Sequence, residues 1–421
     1  MKIKLVTFAP HPNFGTCLQS YALNYVLRKM GHDVEFIYNG RENPPLSFCQ
    51  CLTKGIKAIV KRLLPEEKVT RMKQVMKRNE HETNKVLHVL SLPHHPVLNL
   101  LNQLFGRDAW YEFKKLFSLQ WRKVYQFAFL DNNFRMRRIY THKQYDEVVA
   151  DADLIITGSD QIWNPYCGGY NPMMFLEFVN DRTKCVAYSS SISQPDIHPI
   201  VKERMKAALE KFSHIAVREQ RSVDLLKALL VRDDIHLVVD PTYLLSAKEW
   251  ELFSNKAVIE FILPERYIFC YFVGDKRAEV YEQMVQDVKR FTGIEDVITL
   301  ECYNRSFNYG NGRLYRDAGP YEWVFLLRNA SYICMDSFHA TVLALKFQKE
   351  FVHTMKNEDS ETGSQNTRMY DILSRYGILY KNYVPNGGSD WQRQIDYHRL
   401  TPLIENEIKD SMDYLKFEIE N

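Results

Sequence analysis

Hydrophobic residues along this chain fall into two kinds of run. Short strand-like runs at 2–8, 33–38, 153–158, 185–188, 214–217 and 236–241 alternate with stretches whose apolar positions recur three and four apart, such as Leu18, Tyr21, Ala22, Tyr25 and Val26. The first kind predicts buried strands and the second predicts helices. A polar turn with Asn13 and Gly15 follows the first strand and Gly31 closes the first helix, so the chain opens with a β-α-β unit. A second set of strands is predicted at 267–273, 296–300, 331–335 and 350–353, with helices such as 279–291 and 321–328 between them. Two successive runs of this kind predict an α/β fold of two Rossmann-like domains facing each other across a cleft. Their spans are read as 1–250 and 251–395, joined between 245 and 264. Residues 396–421 are read as a helix packing back on the first domain. The stretch 42–145 breaks the rhythm; it is rich in Lys, Arg, His, Phe and Trp and reads as helices inserted into the first domain.

Length agrees with this division, since 421 residues exceed one ordinary core. A formal charge of +3 is too small to argue for nucleic acid. Eight cysteines are scattered without a CxxC pair or ligand-like spacing to histidine, which predicts free thiols in a reducing compartment and no metal site. The apolar start is too short for a signal-peptide core and no stretch reaches the length of a membrane span. These points together predict a cytoplasmic protein.

Ligands of parallel sheets bind outside the carboxyl ends of the strands. The polar residues just past each strand are therefore informative. After the first come Asn13, Thr16 and Gln19; after the strand at 153–158 come Ser159, Asp160, Gln161, Trp163 and Asn164; after 214–217 come Arg218 and Glu219. After 331–335 come Asp336, Ser337 and His339, with Ser337 placed as a helix N-cap and Arg368 at a later helix start. Singly, each has a plain explanation: a turn, a cap, a local ion pair, or for Trp163 a core contact. Their shared position at one end of two sheets points instead to one cleft. There an imidazole, which titrates near neutrality at about 6.5, stands beside the positive end of a helix dipole suited to an anion.

In combination, the runs around Asn13–Leu23, Gly158–Pro165, Val217–Glu219, Val239–Thr242 and Asp336–Thr341 resemble the polysaccharide pyruvyl transferase family in order and spacing. That resemblance implies a GT-B-type fold, no cofactor, and transfer of pyruvate from phosphoenolpyruvate to a sugar of a surface polysaccharide or its lipid-linked precursor, as a ketal. It implies His339 as the active-site histidine and Arg218 as a donor-binding cation. Asp160 is the expected second proton-transfer or orienting group. Ser337 and Arg368 complete the expected donor site, and Asn13, Gln19, Ser159, Gln161 and Asn164 the acceptor site. One departure is plain: family members carry Arg-Leu before the histidine, where this chain has Ser337-Phe338. Arg368, or else Lys346, is the candidate to replace the missing cation. A GT-B glycosyltransferase using a nucleotide sugar, and a glycan-binding protein without activity, stay open as alternatives. In the insertion, residues 54–64 pattern as a basic amphipathic helix. It either packs on its own domain or, with the basic residues up to 80, docks on an anionic membrane surface at the inner face.

Overall fold

The computed structural model describes residues 1–8, 13–39, 129, 132–167, 169–181, 184–259, 261–274, 276–302, 308–315 and 318–420. The first domain is built from β1 (Lys2–Val6), α1 (Phe14–Lys29), β2 (Asp33–Asn39), β3 (Met136–Ile139), α2 (His142–Asp151), β4 (Leu154–Thr157), β5 (Cys185–Ser190), α3 (Pro199–Leu209), β6 (His214–Val217), α4 (Gln220–Leu230) and β7 (Ile235–Leu237). A 3₁₀ turn (Pro241–Tyr243) and α5 (Ala247–Ser254) lead out of it. The second domain holds β8 (Ile268–Tyr271), α6 (Ala278–Thr292), β9 (Val297–Leu300), β10 (Arg313–Tyr315), α7 (Pro320–Asn329), β11 (Tyr332–Met335), α8 (Phe338–Lys346), β12 (Phe351–His353) and α9 (Thr367–Arg375), and α10 (Tyr397–Glu420) ends the chain.

Each domain carries one sheet, in the orders β3-β2-β1-β4-β5-β6-β7 and β10-β9-β8-β11-β12. Every pairing in both is parallel. This is the expected pair of Rossmann-like domains in a GT-B-like arrangement. Strands β4, β8, β9 and β11 are buried at every position, as helices on both faces of a parallel sheet require. Lys4 in β1 is the polar exception, and its ammonium is held by Glu35 at 2.7 Å and Asp151 at 2.8 Å.

Strands β3 and β10 are the two that the hydrophobic pattern did not predict. Both are outermost in their sheets, and Met-Arg-Arg-Ile or Arg-Leu-Tyr offers no apolar run to read. β3 falls inside the span expected to hold only inserted helices, so that expectation is corrected there. The run read as a strand at 236–241 ends at Leu237, because Pro241 and the Asp240 side chain turn the chain into the 3₁₀ segment. Residues 40–128, with the basic segment 54–80, lie outside the described residues.

The domains share apolar contact as well as a polar cleft. Phe14, at the start of α1, meets Tyr271 edge-on at 5.8 Å and stacks on Trp323 at 6.0 Å. Helix α10 ties both together. Its first half hydrogen-bonds the second domain through Arg399 to the Tyr376 carbonyl and Glu407 to the Tyr376 hydroxyl. Its second half caps the first, where the Val239 amide donates to Ser411 and Tyr414 lies against His236. Among the described residues no helix is long and apolar enough to cross a membrane.

Candidate active site

Asp240 is the hub of the cleft. It sits just past β7, and its backbone turn is fixed by the Thr242 amide and hydroxyl, which donate to Oδ1 at 3.0 and 2.6 Å. The other oxygen, Oδ2, accepts from Arg218 Nη1 at 2.7 Å and from the Ser159 hydroxyl at 3.2 Å. From the opposite domain His339 Nε2 approaches the same oxygen at 3.6 Å. Burial pushes the Asp240 carboxyl up, but His339 and Arg218 outweigh it and hold the group far below the usual carboxylate range. It is therefore a fixed negative charge beside the imidazole.

Arg218 has no exposed side-chain surface and is surrounded by acids: besides Asp240, Nε meets Glu219 and Nη2 meets Asp160, both at 3.3 Å. Ser191 and Ser222 hydroxyls hold Glu219 in turn. Asp160 accepts from the Thr16 hydroxyl at 2.8 Å and from the Gln161 amide at 2.9 Å. Burial raises the Asp160 carboxyl, and Arg218, His339 and Arg368 overcome this to hold it at about 2. Breaking one partner from such a buried network costs about 3–5 kcal/mol, because it strands a charge out of water.

The second domain supplies three neighbouring groups. Ser337 caps α8, accepting from the Ala340 amide at 3.4 Å, and this fixes the helix start on which Phe338 and His339 stand. His339 leans on the start of α1 so closely that a Cβ on Gly15 would lie 2.1 Å from its Nδ1. Its Nε2 makes no hydrogen bond among the described residues. The Phe338 ring makes cation–π contacts with two guanidinium groups, Arg218 at 4.5 Å and Arg368 at 5.6 Å. Arg368 is 9% exposed, and its Nε has no partner. It forms no ion pair among the described residues; burial, then Arg218, lowers its proton affinity. Asp160 and Glu219 act on it only at longer range, and a buried guanidinium with no carboxylate in direct contact is suited to an anion.

Arg218 and His339 meet across the cleft, on the shared oxygen of Asp240. Arg218, expected to bind the donor, is met by three carboxylates of its own domain. Asp160, expected as a second proton-transfer or orienting group, faces Arg218 Nη2 and the Thr16 hydroxyl. Among the expected acceptor contacts, Gln19 is fully sealed and gives its amide to Thr7, Thr16 and Ser20. Ser159 is equally sealed on Asp240, and Asn13 caps α1. Gln161 and Asn164 bond one another at 2.9 Å at the domain boundary. Trp163 stacks on Phe175 in the core. Lys346 turns away to the Tyr243 carbonyl. The roles of Asp240, Thr16 and Phe338 went unread. Asp240 was visible by the strand-end rule, in Val-Val-Asp-Pro-Thr; Phe338 had no signal, since an aromatic ring at a helix start reads as core. Among the described residues no cluster of three His, Cys, Asp or Glu is arranged for a metal.

In structure the chain is similar to a putative UDP-N-acetylglucosamine 2-epimerase of Listeria monocytogenes (9% identity, 98% of this chain and 89% of that one, TM-score 0.48). It is also similar to the UDP-GlcNAc 2-epimerase of Methanocaldococcus jannaschii (9%, 96% and 100%, 0.43) and to the glycosyltransferase SnogD of Streptomyces nogalater (13%, 100% and 95%, 0.38). Likeness this distant speaks to neither substrate nor chemistry. No curated protein matches the chain. The family model described as polysaccharide pyruvyl transferase matches residues 13–355, which take in Asp160, Arg218, Asp240 and His339. The chain belongs to the polysaccharide pyruvyl transferase family and is a transferase of that kind.

Proposed function

We propose that the chain moves the pyruvate unit of phosphoenolpyruvate onto a sugar of a surface polysaccharide or its lipid-linked precursor, as a ketal bridging two hydroxyls. The observation that supports this most is Arg368, an unpaired buried cation next to an imidazole whose Nε2 has no hydrogen-bond partner. Phosphoenolpyruvate carries two anionic groups and an enol carbon that must be protonated. In the balanced reaction, two sugar oxygens bond to the central carbon and its bond to the phosphate oxygen breaks. One of the two hydroxyl protons is balanced by the proton gained at the methylene carbon, and the other leaves with phosphate.

His339 serves as the acid for the enol carbon and then as base toward a hydroxyl, with the Asp240 carboxylate 3.6 Å from its Nε2. Arg368 neutralises the donor. Phe338 offers its ring to both Arg368 and Arg218.

Thermal unfolding in the presence of ligands tests the donor, because a ligand selective for the folded state raises Tm. Phosphoenolpyruvate is expected to stabilise the protein, and Arg368→Met to weaken that effect at least ~10-fold in apparent affinity, the scale of one charge-assisted hydrogen bond. Stabilisation by nucleotide sugars with none by phosphoenolpyruvate would favour the glycosyltransferase alternative and end this reading.

A further inference from the structure

Arg368 has a companion. Lys356 stands just beyond β12, at the carboxyl end of the strand beside the one that leads to His339. Its stem runs past Gly274, where a Cβ would lie 3.1 Å from Lys356 Cγ. The ammonium is half-buried, donates to Gln365 Oε1 at 3.1 Å, and makes no ion pair among the described residues. Asp336, the acid that faces it, is already engaged: the amides of Val273 and Gly274 donate to it at 2.5 and 2.7 Å, and the Tyr281 hydroxyl at 2.8 Å.

Gln365 Oε1 also accepts from Gln161 at 3.2 Å, which places the lysine at the domain boundary next to the Asp160 loop. Burial, and then repulsion from Arg368, lowers the proton affinity of Lys356. Two like charges drawn partly out of water, neither in direct contact with a carboxylate, are costly in the empty protein, and an anion set between them lowers that cost.

We infer that Lys356 is the second cation of an anion seat, binding one anionic group of a small doubly charged donor while Arg368 binds the other. This rests on the transferase reading above. The chemistry divides naturally: the planar fork of an arginine matches a carboxylate, and a compact ammonium suits a phosphate as a point charge. It also accounts for a site without a cation in the Ser337-Phe338-His339 motif, since both charges then come from the segment beyond β12.

Thermal shifts with phosphoenolpyruvate, pyruvate, inorganic phosphate and a nucleotide sugar test the seat on wild type and three variants. Lys356→Met is expected to weaken phosphoenolpyruvate and phosphate by at least ~10-fold while leaving pyruvate within ~3-fold, and Lys356→Arg to restore most of the loss. Gln365→Leu removes the lysine's hydrogen-bond partner but no charge, and is expected to stay within ~3-fold of wild type. Equal loss in Lys356→Met and Gln365→Leu would make the lysine structural and overturn the inference. So would unchanged phosphoenolpyruvate binding in Lys356→Met, with the donor reading left standing. If wild type responds to phosphate or nucleotide sugar in a Lys356-dependent way and not to phosphoenolpyruvate, the seat stands and the donor reading falls. A wild type that responds to none of the four overturns the seat.

Discussion

A single oxygen, Asp240 Oδ2, receives the arginine of one domain and faces the imidazole of the other. The two domains therefore meet at one carboxylate. His339→Ala removes the proton carrier and leaves the Asp240–Arg218–Asp160 network whole, so the fold is expected to persist while transfer drops by at least ~100-fold, the usual cost of losing a general acid–base group. Steady-state rates alongside Tm check this. The types and places of these residues were readable: His339, Arg218, Asp160 and Arg368 all follow strands or begin helices. Their charge balance was not. Whether an arginine is open to a ligand depends on how many acids the fold brings to it, and the three around Arg218 come from positions 58, 1 and 22 residues away in sequence.

At the scale of elements, the site depends on two helix starts that face each other. Asn13 caps α1 and Ser337 caps α8, and both caps sat in the sequence as polar residues ahead of an apolar helical pattern. What the sequence pattern could not reveal was how closely they meet. Gly15 reads as a turn glycine, yet it is the second residue of α1, and its missing side chain is what lets His339 reach Asp240. Gly15→Ala places a methyl 2.1 Å from the imidazole nitrogen. The ring must move, and a displacement near an ångström costs on the order of 100-fold in rate, beside about 1–3 kcal/mol of overpacking. Rate and Tm measured on that variant separate displacement of His339 from general unfolding. Two of the four edge strands, β3 and β10, escaped notice for a related reason: an outermost strand can do without an apolar run.

The whole molecule is two sheets closed on one another and laced together by the last helix. The periodic pattern predicted both sheets and the terminal helix, because central parallel strands and an amphipathic helix are the features most strongly written in hydrophobicity. Near the end of α10, Glu418 is buried against His214, in the neighbourhood of Asp234, His236, Arg232 and Tyr414. Burial, helped by Asp234, raises its carboxyl to about 7, and burial lowers His214 and His236, so the folded state favours neutral groups here. An acid raised on folding favours the folded state below its unfolded value and loses that advantage as pH climbs through the folded one. The Glu418 contribution to helix docking is therefore expected to weaken between about pH 4.5 and pH 7, while the two lowered histidines act in the opposite sense as pH rises toward 6.5. Glu418→Gln should raise Tm relative to wild type at pH 8 and lose that advantage near pH 5, read by thermal unfolding across the range.

Release of inorganic phosphate from phosphoenolpyruvate, followed with and without a panel of glycan acceptors, bears most directly on the central claim. Release is expected to require an acceptor, to equal the pyruvate gained by the glycan, to fall at least ~100-fold in His339→Ala, and to need at least ~10-fold more phosphoenolpyruvate in Arg368→Met. Acceptor-independent release, or full release in the His339 variant, would contradict that claim.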